Sequence, residues 1–245
     1  MLDYLDELGI ADDTIVMYST DNGVHMNSWP DAGMTPFRNE KNSMWEGAYR
    51  VPCLARWPGK IREGEVLNGI TSHLDWFTTL LAAAGVDDMA DQLKAGTELN
   101  GKEYKVHLDG ENMLPYWTGE ADESPRGHYV YFSDTGDLCA IRWNNWKIVF
   151  LEQRAEGTLQ VWREPYTELR IPLIFNLRTD PFERAQITSN TYEDWFIDHA
   201  YMMGPSQAFV ARLAASLQEF PRRQEPASFT IDQVIAKMEA GVGSS

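Results

Sequence analysis

Residues 14–23 read TIVMYSTDNG, a nearly continuous apolar run that passes through Ser-Thr into Asp-Asn-Gly. A short apolar run bounded by a turn signal is the pattern of a strand buried on both faces of a parallel or mixed sheet. Asn-Gly is also the commonest hairpin turn, and a hairpin needs a partner strand at once. The residues that follow, VHMNSWPDAGMTPFRNEK (24–41), hold prolines and polar groups without alternation, so the chain leaves the sheet to build a long loop. Loops at the carboxyl ends of core strands are where open α/β sheets place ligands. Asp21 and Asn22 bring a carboxylate and an amide carbonyl there, hard oxygen donors suited to Ca2+ or Mg2+ and poor for zinc or copper. Two donors do not complete such a site, so the other oxygens are expected from elsewhere.

Outward from this strand, MLDYLDELG (1–9) sets Leu2, Leu5 and Leu8 at helical spacing with Gly9 as a stop. VPCLARWP (51–58) is expected as a second core strand. SHLDWFTTLLAAAG (72–85) is expected as a helix, with Ser72 and Asp75 in capping-box register and Leu74, Phe77, Leu80 and Leu81 as its apolar stripe. Helix, strand, long loop, strand and helix form the closing piece of an α/β layer, not a whole sheet. A larger upstream segment is therefore expected, and the sheet should expose unpaired edges and apolar surface near Ile15 and Met17 that invite self-association.

Residues 87–119 look loop-rich around the apolar marker HLDGENMLPYWTG (107–119). After Pro125 the period becomes two. HYVYFSD (128–134), LCAIRW (138–143), WKIVFLEQ (146–153), LQVWRE (159–164) and LIFNLR (173–178) are strand candidates of an antiparallel meander, with Asn144-Asn145 suited to a hairpin turn. A helical region spans 192–220, interrupted at Gly204-Pro205. Its second half presents Phe209, Val210, Leu213, Leu217 and Phe220 as a face to cover the meander, and Pro221 stops it. One more short amphipathic stretch is expected in the tail, 226–245. Two units are expected: residues 1–122, the end of an α/β domain, and residues 123–245, a small four-stranded antiparallel sheet packed on a carboxy-terminal helix with a tail.

The 245 residues carry 37 acidic against 21 basic side chains, a formal charge of -16. A phosphate backbone or an anionic bilayer is repelled by such a chain, so neither nucleic acid nor a membrane is expected as a partner. No apolar run approaches the roughly 18 residues of a membrane span. Cys53 and Cys139, far apart and among apolar neighbours, match no zinc site or redox dithiol and read as two small buried hydrophobes.

Five stretches in order, TDNG (20–23), TPFRNEKNSMWEGAYRVPCLARWPG (35–59), SHLDWFTTLLAAAG, HLDGENMLPYWTGE (107–120) and PASFTIDQVIAKM (226–238), resemble the carboxy-terminal part of bacterial arylsulfatases, within the alkaline-phosphatase-like superfamily. The resemblance implies an α/β fold that closes an alkaline-phosphatase-like mixed sheet. It implies hydrolysis of a small-molecule or carbohydrate sulfate ester by a formylglycine nucleophile beside Ca2+, with Mg2+ the second choice. By the same resemblance Asp21 and Asn22 are metal ligands and Lys41 binds a sulfate oxygen. His25 lines the substrate pocket or meets the leaving oxygen, and Trp29 and Arg38 are substrate walls. A divalent cation and a fixed ammonium suit this chemistry because both stabilise charge on the sulfuryl oxygens. Each residue also has an ordinary reading: a solvated lysine, a loop histidine in local hydrogen bonds, a packing tryptophan and a surface arginine. A periplasmic or extracellular location is implied by the resemblance alone.

The departures are equally specific. Neither CLARW at Cys53 nor CAIRW at Cys139 is Cys/Ser-x-Pro-x-Arg, the segment from which formylglycine is made. The nucleophile is therefore expected upstream, and this chain is expected to be inactive alone. A phosphatase or phosphonate monoester hydrolase of the same superfamily is the nearest alternative, although its two-zinc members carry Asp-His where this chain has Asp21-Asn22. A non-catalytic truncated module is the alternative from another class.

Overall fold

The computed structural model describes residues 1–31 and 33–222. The amphipathic stretch expected in the tail lies outside the described residues. Helix α1 (Leu2–Glu7) leads through a 3-10 turn to strand β1 (Val16–Ser19). The long loop follows, with one short helix in it, α2 (Glu46–Tyr49), and returns as β2 (Cys53–Arg56). β2 lies antiparallel to β1, with Val16 opposite Arg56 and Ser19 opposite Cys53.

Alternation along β1 turns Met17 inward onto Met113, Tyr116 and Trp117, while Tyr18 is 60% exposed. The strand expected to be buried on both faces is thus covered on one. β2 is barer still: Leu54 is 66% exposed, and Cys53, expected in the core, is exposed as well. The cause is the same for both strands, since among the described residues each has one antiparallel partner and no second layer packed on its outer face. Cys139, in contrast, is fully buried, and burial pushes its thiol up to about 12.

Helix α3 (Asp75–Ala83) has the expected reciprocal cap: Ser72 N–H donates to the Asp75 carboxylate at 2.8 Å, and Leu74 N–H to Ser72 Oγ at 3.2 Å. Its expected apolar stripe points the other way. Asp75, Thr78 and Thr79 are buried, whereas Leu74, Phe77 and Leu80 are exposed. The inward face packs on the backbone of residues 109–113, whose polar groups need partners that leucines cannot supply. Thr78 and Thr79 hydroxyls donate to the Gly110 and Glu111 carbonyls, and Thr79 Oγ1 accepts from Met113 N–H. Asp75 takes the Glu111 N–H at 2.8 Å and pairs with the buried Arg126 guanidinium.

The region expected to be loop-rich holds α4 (Met89–Ala95), a hairpin of β3 (Thr97–Leu99) and β4 (Lys102–Tyr104), and α5 (Leu114–Thr118). That hairpin is where an Asn-Gly turn does occur, with Asn100 and Gly101 at φ 52° and 76°.

The meander is β5 (His128–Phe132), β6 (Leu138–Trp143), β7 (Trp146–Glu152) and β8 (Thr167–Asn176), each hydrogen-bonded antiparallel to the next in chain order. Asn144, at φ 49°, turns β6 into β7 as expected. LQVWRE is not a strand: it forms the short helix α6 (Gln160–Arg163) in the connection from β7 to β8. Val161 is its buried anchor, and the Asn42 side chain donates to the Val161 carbonyl at 2.8 Å, so the segment is bound to the long loop instead of to the sheet.

After β8 come α7 (Ala185–Thr188), α8 (Tyr192–Asp198) and α9 (Met203–Glu219). The break between α8 and α9 is a 3-10 turn at Ala200–Met202. Gly204-Pro205, expected to be the break, sits in the first turn of α9, where the missing proline N–H leaves no bond unmade. Phe209 and Val210 pack with Met202 on Ile141, Ile148 and Ile174, while Leu217 lies beyond the sheet and is exposed. The other face of the meander, Tyr131, Cys139, Val149 and Phe175, receives Met44 and Trp45 from the long loop. The loop between β1 and β2 is therefore a core layer over part of its length.

Candidate functional site

Asp21 and Asn22 leave the carboxyl end of β1, and the next residue explains how the turn is placed. Gly23 N–H donates to the Ala48 carbonyl at 2.7 Å. A Cβ on Gly23 would stand 1.9 Å from the Gly47 carbonyl oxygen, and one on Gly47 would stand 2.2 Å from the Asn39 oxygen. Gly23 lies outside the left-handed region, so this glycine serves close backbone approach and not a hairpin. One step further on, Lys41 N–H donates to the Val24 carbonyl at 3.0 Å. These two bonds lay residues 21–25 against residues 41–48 and bring the Asp21-Asn22 turn beside the segment that carries Lys41.

Asp21 and Asn22 line a cleft of about 780 Å3 that His73, Arg50 and Tyr129 also border. Among the described residues, neither the Asp21 carboxylate nor the Asn22 amide has a side-chain partner. Their oxygens are unclaimed, and a carboxylate with an amide carbonyl fits a hard cation such as Ca2+. Among the described residues no three His, Cys, Asp or Glu side chains converge on one point, so the pair is a partial donor set. His73 stands at this cleft with its Nε2 3.0 Å from Ser19 Oγ and its ring 4.5 Å from that of Trp76.

The other expected residues divide. Lys41 is half-buried, its ammonium 6.0 Å from the centre of the Trp162 ring. His25 Nε2 accepts the Trp162 indole N–H at 3.2 Å. Trp29 stands in solvent after the 3-10 turn of Met26–Ser28. Arg38 turns away under the loop: its guanidinium lies 3.4 Å over the Trp45 ring and donates to the Glu183 carbonyl at 3.2 Å and to Gln186 Oε1 at 3.3 Å. Burial pushes its guanidinium below the ordinary value, against the pull of Glu183. Backbone bonds thus lay the segments of Asp21-Asn22 and Lys41 side by side, but Asp21 and Asn22 line the cleft while His25 and Lys41 meet at Trp162 outside its lining, and Arg38 is held in packing.

Beneath the loop lies a charge cluster that the sequence reading passed over. Lys147, fully buried in β7, has its ammonium 2.7 Å from Glu183 Oε1 and 3.2 Å from Glu46 Oε1, donates to the Met44 carbonyl at 2.8 Å and sits 4.0 Å over the Tyr131 ring. Glu46 also takes Arg50 at 2.7 Å, Arg142 at 3.4 Å and the Tyr131 hydroxyl at 2.6 Å. Burial acts to raise the Glu46 carboxyl, but Lys147, Arg142, Tyr131 and Arg50 together hold it at about 2. Burial raises Glu183, against the pull of Lys147, its ion-pair partner. The signal was present in WKIVFLE: Lys147 occupies the same register as Val149, the core-facing one, and a buried lysine needs paired carboxylates.

Comparison with known proteins gives concordant matches. Residues 1–86 match the sulfatase family model and residues 124–238 the model of the C-terminal region of aryl-sulfatase, which leaves out only residues 87–123 and 239–245. The chain is 33% identical over 207 residues to N-acetylgalactosamine-6-sulfatase of Rattus norvegicus, in a match that takes in 79% of this chain and 37% of that one. It is 30% identical over 205 residues to steryl-sulfatase of Mus musculus, covering 75% of this chain and 30% of that one. Among solved structures it superposes on the PsFucS1 sulfatase from Pseudoalteromonas sp. with a TM-score of 0.72 and 27% identity, covering 91% of this chain and 41% of that one. The chain therefore spans about a third of the curated relatives it matches, and the likeness extends to mammalian sulfatases as well as bacterial ones.

Proposed function

Because the chain belongs to the sulfatase family, we propose that it carries one half of a sulfate-ester-hydrolysing centre: Asp21 and Asn22 as ligands of Ca2+ and Lys41 as the binder of a sulfate oxygen. The observation that supports this most is the pair of unclaimed oxygen donors at the end of β1, hydrogen-bonded through Val24 to the residue that presents the ammonium. When bound, Ca2+ supplies a Lewis-acid pull on the sulfate oxygens. Lys41, its backbone held by Val24 and its ammonium flanked by Trp162, adds a compact positive charge that stabilises the negative charge growing as the ester bond breaks. His25, held against Trp162 one turn beyond Asn22, orients the alcohol portion of the ester.

No Cys/Ser-x-Pro-x-Arg segment occurs in the 245 residues, so the formylglycine nucleophile belongs to residues other than these, and the substrate is the sulfate ester of a small molecule or a carbohydrate. In this reading residues 1–122 close the catalytic layer and residues 123–245 brace it. Calorimetric titration tests the assignment. The chain should bind Ca2+ and inorganic sulfate; Asp21→Ala with Asn22→Ala should abolish the first, and Lys41→Ala should weaken the second at least tenfold. Undiminished Ca2+ binding in the double variant would overturn it.

A further inference from the structure

The connection between β7 and β8, residues 153–166, belongs to the meander by chain order but is bonded to the loop that carries Lys41. Asn39 donates to the Ala155 carbonyl at 2.7 Å, Trp45 Nε1–H to the Gln153 carbonyl at 3.0 Å and Asn42 to the Val161 carbonyl at 2.8 Å. Glu40, fully buried and adjacent to Lys41, accepts the backbone N–H of Met26 with one carboxylate oxygen and that of Thr158 with the other. A single buried carboxylate thus ties the His25 loop and the start of α6 to the Lys41 segment. Gly157 permits this contact, since a Cβ there would stand 2.3 Å from Met26 Sδ and 2.9 Å from Glu40 Oε1.

The result is a tryptophan on a fixed mount. Trp162 is 51% exposed, a large apolar surface left open to solvent, yet its indole N–H is engaged by His25 Nε2. Asn27 Nδ2 also approaches that nitrogen, at 3.4 Å. Two donors on one ring nitrogen require it to hold the lone pair, so the neutral imidazole carries its proton on Nδ1. A face of the indole is electron-rich and attracts the Lys41 ammonium; it equally attracts the polarised C–H groups of a sugar ring or the edge of an aryl ring.

We propose that Trp162 is a substrate-contact residue, the stacking wall for the ring of a ring-bearing sulfate ester whose sulfate is held by Lys41, and the positioning residue that keeps His25 with Nε2 as acceptor and Nδ1–H as donor. This rests on the sulfate-site reading of Lys41 and names the substrate class for it.

The test uses the 245-residue chain and its Trp162→Ala, Trp162→Phe and Lys41→Ala variants, titrated with para-nitrophenyl sulfate, a sulfated galactose and inorganic sulfate. At least one ring-bearing ester should bind more tightly than inorganic sulfate. Trp162→Ala should lose about tenfold on that ester, as expected for one stacked ring, and change inorganic sulfate less than twofold. Trp162→Phe should keep most of the affinity. The ester that responds identifies the ring as sugar or aryl. Imidazole nitrogen-proton NMR should find His25 as the Nδ1–H tautomer in the native chain and a mixture in Trp162→Phe. Equal ester affinity in native chain and Trp162→Ala, or an equal loss for inorganic sulfate, overturns the contact role; a native Nε2–H tautomer overturns the positioning role. If Lys41→Ala leaves inorganic sulfate binding unchanged, the sulfate-site reading fails separately, and failure of the native chain to bind any of the three ligands overturns both.

Discussion

Replacing Lys147 with methionine tests whether the charge cluster under the loop holds the site in place. Methionine keeps the length and packing of the stem and removes only the charge. In the native chain the ammonium is 2.7 Å from Glu183 Oε1, 3.2 Å from Glu46 Oε1 and bonded to the Met44 carbonyl, with all three side chains essentially inaccessible. Without it, Glu46 retains Arg50 and Arg142, but among the described residues the Glu183 carboxylate keeps the Glu46 backbone N–H, at 2.7 Å, as its hydrogen-bond donor and loses its ion-pair partner. Removing one partner of a buried ion pair costs about 3–5 kcal/mol, because the other charge is left unpaired in a poorly solvating place. In a domain of this size that lowers the melting temperature by roughly 6–20 °C.

Denaturant unfolding followed by circular dichroism at neutral pH measures it. Lys147→Met should unfold at markedly lower denaturant, and Lys147→Met with Glu183→Gln should recover a large part of the loss, since the stranded carboxylate is then neutral. A loss below about 1 kcal/mol, the scale of a surface pair, or no recovery in the double variant, would refute the claim that buried charge pairing is what fastens the loop to the meander.

Three further outcomes follow from the same structure. Glu46 is depressed to about 2, so its contribution is fully present above the unfolded carboxyl value of about 4.3 and lost as pH falls toward 2. Glu183 is raised, so its contribution is present below about pH 4.3 and lost as pH rises through its folded value. The stability gap between native chain and Glu46→Gln should therefore close on acidification, while that between native chain and Glu183→Gln should shrink on going to alkaline pH; parallel pH curves for the two variants would contradict the opposed directions. Gly23→Ala should cost about 1–3 kcal/mol, as overpacking does, and weaken Ca2+ binding, because its Cβ would collide with Gly47 and Ala48 backbone; native stability and binding in that variant would show that the crossing has slack. Tyr18, Leu54, Leu74 and Phe77 are exposed on neighbouring elements joined by the Ser19–His73 contact, so the chain alone should self-associate in sedimentation velocity, and Leu54→Lys with Phe77→Lys should disperse it. A native chain that sediments as a monomer would count against that.

The parts of the fold that were legible are those fixed by local pattern. Period-two alternation and Asn144-Asn145 located β5, β6 and β7, and the Ser72 and Asp75 pair located the start of α3. Legibility failed where tertiary partners decide. LQVWRE alternates like a strand, but its carbonyls are taken by Asn42 and Gln153, so it bends into α6. The stripe of α3 was read as its buried face, but the segment it packs on offers backbone polar groups, and threonines meet those better than leucines do. Of the proposed site, Asp21, Asn22 and Lys41 are candidates from motif order, while Trp162 is not, because 121 positions separate it from Lys41 and no local signal marks the encounter.

The long loop resolves into two functions that share one segment. Residues 38–49 send Arg38, Met44, Trp45 and Glu46 down into the meander, while Lys41 is bonded through its backbone to Val24 and sets its ammonium beside Trp162. An ammonium on a flexible stem stabilises a developing charge only if its backbone does not move when the charge appears, because reorganisation then would consume the gain. The buried residues on either side of Lys41 supply that rigidity: Glu40 with its two backbone N–H donors one position before, and Ser43 to Ala48 within a few positions after. The meander, which contributes none of the proposed Ca2+ ligands, serves the proposed sulfate site through stiffness. Substitutions at Lys147 or Glu183 should therefore weaken sulfate binding at Lys41 even where the chain remains folded.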